Sequence, residues 1–279
     1  MNRHQYHCLI AGLPDLSLGD PVECISVPAF RRVLEEELFP EDFEQVRLVF
    51  LRDDHRNLVR FIETGEVDPD SAGNYTYEDF RDQFGLFSSI IPQEDILPPY
   101  MVRVMKEFHE MEQKADPVQI SHALAGDYLE YVLEHGCRFL RAYIRFEYDL
   151  DNLLTYLEAG RHDMERGRYI TGRTPHAEHL RQSLSRVLER DPEFEYFDEI
   201  LSRSEITSIA ERELRFDAMR WEKIDELIFF EDFDINRILG YLFKVMIVMR
   251  WSGLTRQKGE SRIRGILRRT EAECFTPED

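Results

Sequence analysis

The stretch "GRYITGRT" (167–174) has the spacing of a loop that wraps nucleotide phosphates: Gly167, Gly172, a cation at 173 and a hydroxyl at 174. In such a loop the backbone amides and a Lys hold the phosphates while the hydroxyl holds a magnesium ion. That chemistry needs a buried strand before the loop and a helix directly after it, so that free amides and the helix dipole converge on the anion. Here an amphipathic helical pattern precedes the loop, Arg173 stands where Lys belongs, and Pro175 follows Thr174. The stretch reads as a Gly-punctuated connection between helices. A nucleotide-handling enzyme using 167–174 stays open as one alternative.

Other reaction chemistry is thinly supplied. None of the nine histidines lies in an HExxH pattern or has an acid three residues before it, so a di-iron Glu-x-x-His bundle is excluded at its usual spacing. "HEME" (109–112) has no second His, and neither GxSxG nor GxGxxG occurs. Four cysteines, Cys8, Cys24, Cys137 and Cys274, show no CxxC or metal-ligand spacing and suit free thiols in a reducing compartment. With 55 acids in the chain, any single carboxylate pair carries almost no information. The expectation is a protein that is not an enzyme and takes no catalytic residue, cofactor or metal.

Charge narrows the partners. The net charge of −20 argues against nucleic acid, because phosphate binding needs Lys and Arg gathered on a face. Residues 1–100 hold 8 basic and 20 acidic side chains, whereas "RQKGESRIRGILRR" (256–269) holds six basic residues against one Glu. For any one of these runs a solvated helix face is the plainer account.

The elements that would position any site are helical. Tyr6, Leu9, Ile10 and Leu13 form one apolar stripe ended by Pro14. "SVPAFRRVLEEEL" (26–38) has a Ser cap and an early Pro, with Phe30, Val33 and Leu34 on one face. "PEDFEQVRLVFL" (40–51) follows a Pro break, and "TYEDFRDQF" (76–84) opens on an arrangement close to a capping box. Alternating strand patterns are scarce, so the fold class is all-α.

One short element occurs twice. "DHRNLVRFIETG" (54–65) and "DLDNLLTYLEAG" (149–160) share Asp, Asn, Leu, Glu and Gly at the same offsets. Asp54 and Asp149 are expected to cap a helix start, each worth about 1 kcal/mol against Ala, and Gly65 and Gly160 to end it in the left-handed conformation. A looser third copy, "DINRILGYL" (234–242), keeps Asp234, Ile238, Tyr241 and Leu242 but has no Gly stop before Trp251. Five identities favour an internal repeat over convergent helix grammar, with the missing stop leaving the third unit's equivalence open. Two or three helical units follow: 1–100, 101–195 and 196–279 with its basic tail, divided at "SSIIPQEDILPPY" (88–100) and "ERDPEFEYFDE" (189–199). "MNRHQYHCLIAGLPDL" has too short an apolar core for a signal peptide. "ILGYLFKVMIVMRW" (238–251) is interrupted by Lys244 and lacks the ~20 residues of a membrane span. A soluble chain that meets membranes only through a partner is expected.

"YHCLIAGLPDL" (6–16), "FRRVLEEEL" (30–38) and "RNLVRFIETGE" (56–66) resemble a bacterial family known mainly from V-type ATPase operons. That family looks like a divergent counterpart of the C subunit of V/A-type rotary ATPases (subunit d in eukaryotes). "FFEDFDINRILGYLFKVMIVMRWSGL" (229–254) is similar to that subunit's last domain. The likeness is sharpest at 6–16 and weak through 100–140. It implies three related helical units forming a funnel on the cytoplasmic end of the membrane rotor ring. It further implies a non-catalytic coupling role, with central-stalk and proteolipid-ring subunits as partners and a peripheral place on the inner face of the cell membrane. Glu63, Asp149 and Glu158 on the socket wall, and Arg262, Arg264, Arg268 and Arg269 in the tail, are the expected contact residues. A general helical scaffold or adaptor fits the composition equally well.

Overall fold

The computed structural model describes residues 4–18, 26–88, 93–109, 116–183, 190–192 and 194–252. The expected tail contacts Arg262, Arg264, Arg268 and Arg269, with Cys24 and Cys274, lie outside the described residues. All regular structure among the described residues is α-helical. In chain order the helices are α1 (His7–Ala11), α2 (Val27–Glu37), α3 (Pro40–Thr64), α4 (Tyr77–Leu86), α5 (Pro99–His109), α6 (Pro117–His135), α7 (Arg138–Arg161), α8 (Pro175–Gln182), α9 (Phe197–Ser204), α10 (Ile209–Ile228) and α11 (Ile235–Ser252). None is long and apolar enough to cross a membrane among the described residues.

Local signals explain most helix starts. Ser26, Asp116 and Thr174 each accept an amide from the first turn and are followed by proline at an early helical position. Thr76 and Asp79 form a full capping box at α4. Gly65 ends α3 in the left-handed conformation (φ 74°), as its sequence position predicts.

Three antiparallel helix pairs turn on short connections: α2/α3, α6/α7 and α10/α11. Arg31 lies over Phe50 in the first pair. Tyr148 donates to the Ala125 carbonyl in the second, and Lys244 pairs with Asp225 in the third. α7 runs through the middle, packed by α6, α8, α9, α10 and α11. One continuous apolar cluster extends from Tyr6 to Ile247, so the segments share a core.

The start of α7 has no cap of its own: Cys137 offers no side-chain acceptor there. Its neighbours supply two. Gln45 Oε1 of α3 accepts the Cys137 amide (2.6 Å), and Asn236 Oδ1 of α11 accepts the Phe139 amide (3.1 Å). Asp234 in turn holds the Asn236 amide side group (2.8 Å) and accepts its backbone N–H (2.9 Å). Free helix-start amides are thereby satisfied across three helices. Asn236→Ala leaves the buried Phe139 amide without its acceptor, and urea denaturation should show a loss of about 2 kcal/mol.

Candidate functional site

The two copies of the repeated element begin in mid-helix, which corrects the expectation that their Asp residues cap a helix start. Asp54 lies deep in α3 and Asp149 deep in α7, both buried. Gly160 is also helical; α7 continues to Arg161, and the positive φ of the following turn (52°) falls on Asp163. Twelve residues of shared pattern resemble a complete capped helix, but the apolar stripe on the N-terminal side of each Asp continues the same helix backwards.

Each copy instead grips the loop that returns after its own helix. In the first, Asp54 Oδ1 accepts the amides of Asn74 (2.6 Å) and Tyr75 (3.1 Å), and Oδ2 accepts the Asn74 side-chain amide (2.7 Å). Asn57 Oδ1 accepts the Asp68 amide (3.0 Å), and Arg31 donates to the carbonyls of Ala72 and Gly73. In the second, Asp149 accepts the Thr174 hydroxyl (2.5 Å) while Asn152 closes both polar groups of the Thr171 peptide (2.7 and 2.8 Å). Arg181 donates to the carbonyls of Ile170 and Gly172 (2.8 and 2.6 Å). Both loops end on a threonine that caps the next helix. Both loops are thus held by an Asp, an Asn and an Arg, but Asp149 takes a hydroxyl where Asp54 takes two amides, and Arg181 comes from the helix after its loop where Arg31 comes from the helix before α3.

This geometry answers the phosphate-loop reading of 167–174. The Thr171 amide is taken by Asn152, the Thr174 hydroxyl donates to Asp149, and Thr174 Oγ1 accepts the Ala177 amide (3.1 Å). Gly172 is required for a different reason: φ is 75°, and a Cβ would run into Leu129. These polar groups are turned to the protein itself, while Arg173 is exposed at the mouth of an open groove.

An ionic junction joins α3, α7 and α10. Glu147 of α7 receives Arg52 Nη1 of α3 at 2.8 Å, Arg220 Nε of α10 at 3.3 Å and the Tyr143 hydroxyl at 3.3 Å. Arg220 continues to Asp151 (3.2 Å) and Asp217 (3.3 Å). Asp217 then takes Trp251 Nε1 and Arg250 of α11, each at 2.6 Å. Burial pushes the Glu147 carboxyl up, and the two guanidiniums outweigh it, leaving its pKa below the ordinary carboxylate value. Arg52 is sandwiched near the rings of Tyr128 and Tyr148 (5.5 and 5.8 Å). Sequence reasoning missed Arg52, Glu147 and Arg220. A signal existed: Arg52 and Glu147 both stand two residues before the Asp of their copy, with opposite charges.

The expected contact residues fall into different settings. Glu63 is exposed on the last turn of α3, with no ion-pair partner among the described residues. Glu158 is partly covered and pairs with Arg161 (2.7 Å) and with Arg212 of α10 (3.8 Å). Asp149 is turned inward to Thr174 and only 6% exposed, so it holds a loop and offers nothing to a partner. An open groove of about 930 Å³ runs between α5, α6 and α8. Its walls pair Arg103 with Asp127 and Arg181 with Glu178, so opposite charges meet within it. No cluster of three or more metal-capable side chains occurs among the described residues.

Two consequences are measurable. Glu147→Gln leaves Arg52 and Arg220 facing each other without their central counter-charge, and chemical denaturation should show a loss of 3 kcal/mol or more, about the size expected for a broken buried pair. Burial raises the Asp54 carboxyl to about 6 despite the Tyr75 and Asn74 hydrogen bonds and Arg31. A raised folded value means the stabilising contribution is complete below the unfolded pKa of about 3.9 and is lost as pH climbs through the folded one. The stability difference between wild type and Asp54→Asn should therefore shift against wild type by about 2 kcal/mol from pH 4 to pH 7. A difference that stays flat across that window would contradict the assignment.

No curated protein matches the chain. Residues 1–274 match the family described as "Protein of unknown function (DUF2764)", and the chain belongs to that family.

Proposed function

We propose that this chain is a non-catalytic coupling subunit of a bacterial V/A-type rotary ATPase. In this reading it joins the central stalk to the membrane rotor ring during ATP-driven or ATP-synthesising transport of protons or sodium ions. It would sit at the inner face of the cell membrane and touch the bilayer only through its partners. The sequence resemblance at 6–16, 30–38, 56–66 and 229–254 is the origin of the reading.

The observation that carries it furthest is the loop-gripping construction at Asp54/Asn57 and again at Asp149/Asn152. A body made by reusing one helical unit suits a funnel with similar walls. The third copy differs: Asp234 does sit at a helix start, so the 196–279 unit would be a modified member of the set. Torque transmission asks for stiffness and no bond chemistry. The junction through Glu147 supports that demand, because α3, α7 and α10 cannot slide past one another without breaking it.

A general helical adaptor outside rotary motors is the second reading, favoured by an exposed aromatic end that carries no mark of a particular assembly. Affinity purification of the full chain from its own cells separates the two. Recovery of stalk and proteolipid-ring subunits is expected, and their absence would leave the adaptor. In membranes that retain the complex, Arg262→Glu with Arg264→Glu, Arg268→Glu and Arg269→Glu should lower ATP-driven ion pumping. Unaltered coupling would remove the tail as a contact.

A further inference from the structure

At one end of the body, where α2 turns into α3 and α10 into α11, four phenylalanines face solvent. Phe230 is 86% exposed, Phe229 72%, Phe39 52% and Phe233 38%. Tyr6 binds the two turns into a single surface. Its amide donates to the Phe233 carbonyl (2.7 Å), its hydroxyl donates to Asp42 (2.5 Å), and it accepts the Phe39 amide (3.3 Å). His4 stacks on Phe39 at 3.9 Å and His7 lies 4.1 Å from Phe233, so those two rings are held in place. Phe229 and Phe230 meet edge to face at 4.8 Å. Contiguous exposed aromatics rimmed by polar side chains are the features of a binding surface.

Acids outnumber cations around these rings. Glu36, Glu37, Glu41 and Asp232 are exposed and have no ion-pair partner among the described residues. Of the nearby cations, Arg138 is already paired with the buried Glu231 (3.2 Å), and Arg237 lines a separate hollow with Ile10, Leu13 and Ile228. A second copy presenting the same face would bring acid against acid, and an anionic bilayer or nucleic acid would be repelled for the same reason.

We infer that this aromatic, acid-rimmed end face docks a basic amphipathic helix of another protein. Aliphatic side chains of the partner cover Phe229 and Phe230, and its Lys or Arg side chains lie over the ring faces and against Glu37, Glu41 and Asp232. The inference goes beyond the coupling reading and stands whichever assembly the partner belongs to. Loss of the rotary subunits from a purification therefore leaves it intact.

The test uses the full chain and two synthetic helices about 18 residues long, with Leu along one face. One carries Lys and Arg on its polar face; in its sibling these are Glu. By fluorescence anisotropy the basic helix should bind and the acidic one should not. Affinity should fall about tenfold or more with Phe229→Ser/Phe230→Ser, and similarly with Glu41→Lys/Asp232→Lys. Both serines replace well-exposed rings, so the thermal melting curve should be unchanged and the loss cannot be charged to unfolding. Equal binding of the two helices, or wild-type affinity in both variants, would overturn the proposal. So would a dimer seen by sedimentation, or binding to phosphatidylserine vesicles, that disappears in the double-serine variant, since either assigns the face to another occupant. Tighter binding of the basic helix after the four tail arginines become Glu would likewise overturn it, by giving the face to the chain's own tail.

Discussion

Glu147 is the constraint from which the rest of the body takes its register. A carboxylate only 9% exposed stays charged here because Arg52 and Arg220 reach it from two other helices. Burying such a group adds little net stability compared with a well-packed apolar replacement, because desolvation offsets most of the attraction. Its effect is geometric. α3, α7 and α10 have one relative setting in which both guanidiniums meet the same carboxylate, and any slide of a helical turn (about 5.4 Å) separates them. Through Asp217 the setting passes on to α11, where Arg250 and Trp251 meet the same side chain.

The ends of α7 are fixed by the same borrowing from neighbours. Gln45 and Asn236 satisfy amides at its start, and Arg161 near its finish donates to the Ser204 carbonyl at the end of α9 (2.9 Å). A helix that depends on three others for its terminal hydrogen bonds cannot fray without disturbing them. The loops after α3 and α7 follow suit where they return to the body: the Asn74, Tyr75 and Thr171 amides and the Ile170 and Gly172 carbonyls are bound by Asp, Asn and Arg side chains. Stiffness here comes from polar groups placed at joints, with the apolar core filling the space between.

The helical class, the Ser26 and Thr76 caps and the Gly65 stop were legible in the sequence because each depends on residues within one turn. The role of the repeated Asp was not. Asp54 and Asp149 lie in a pattern that fits a helix start, and only the chain 20 to 25 residues further on reveals what they bind. Asn74 and Thr174 are ordinary loop residues in the sequence; long-range hydrogen bonds of this kind leave no periodic trace. The Arg52–Glu147 pair is a middle case. Its partners occupy matching offsets in the two copies, so the repeat itself hinted that equivalent positions face one another.

An inversion of the usual surface follows from these observations. Acids such as Asp54, Asp149, Glu147 and Asp217 are drawn inside and given partners, while rings such as Phe229 and Phe230 are left outside with none of the core to cover them. The first arrangement engages these carboxylates with donors from the protein itself. The second leaves apolar area that water solvates poorly, at the end where two helix turns are locked together by Tyr6. The interior is thus cross-linked by ion pairs, and one end of the body carries exposed rings. The physical division of labour is accordingly between an ionic junction that keeps the helices from moving and an aromatic face whose rings gain by being covered.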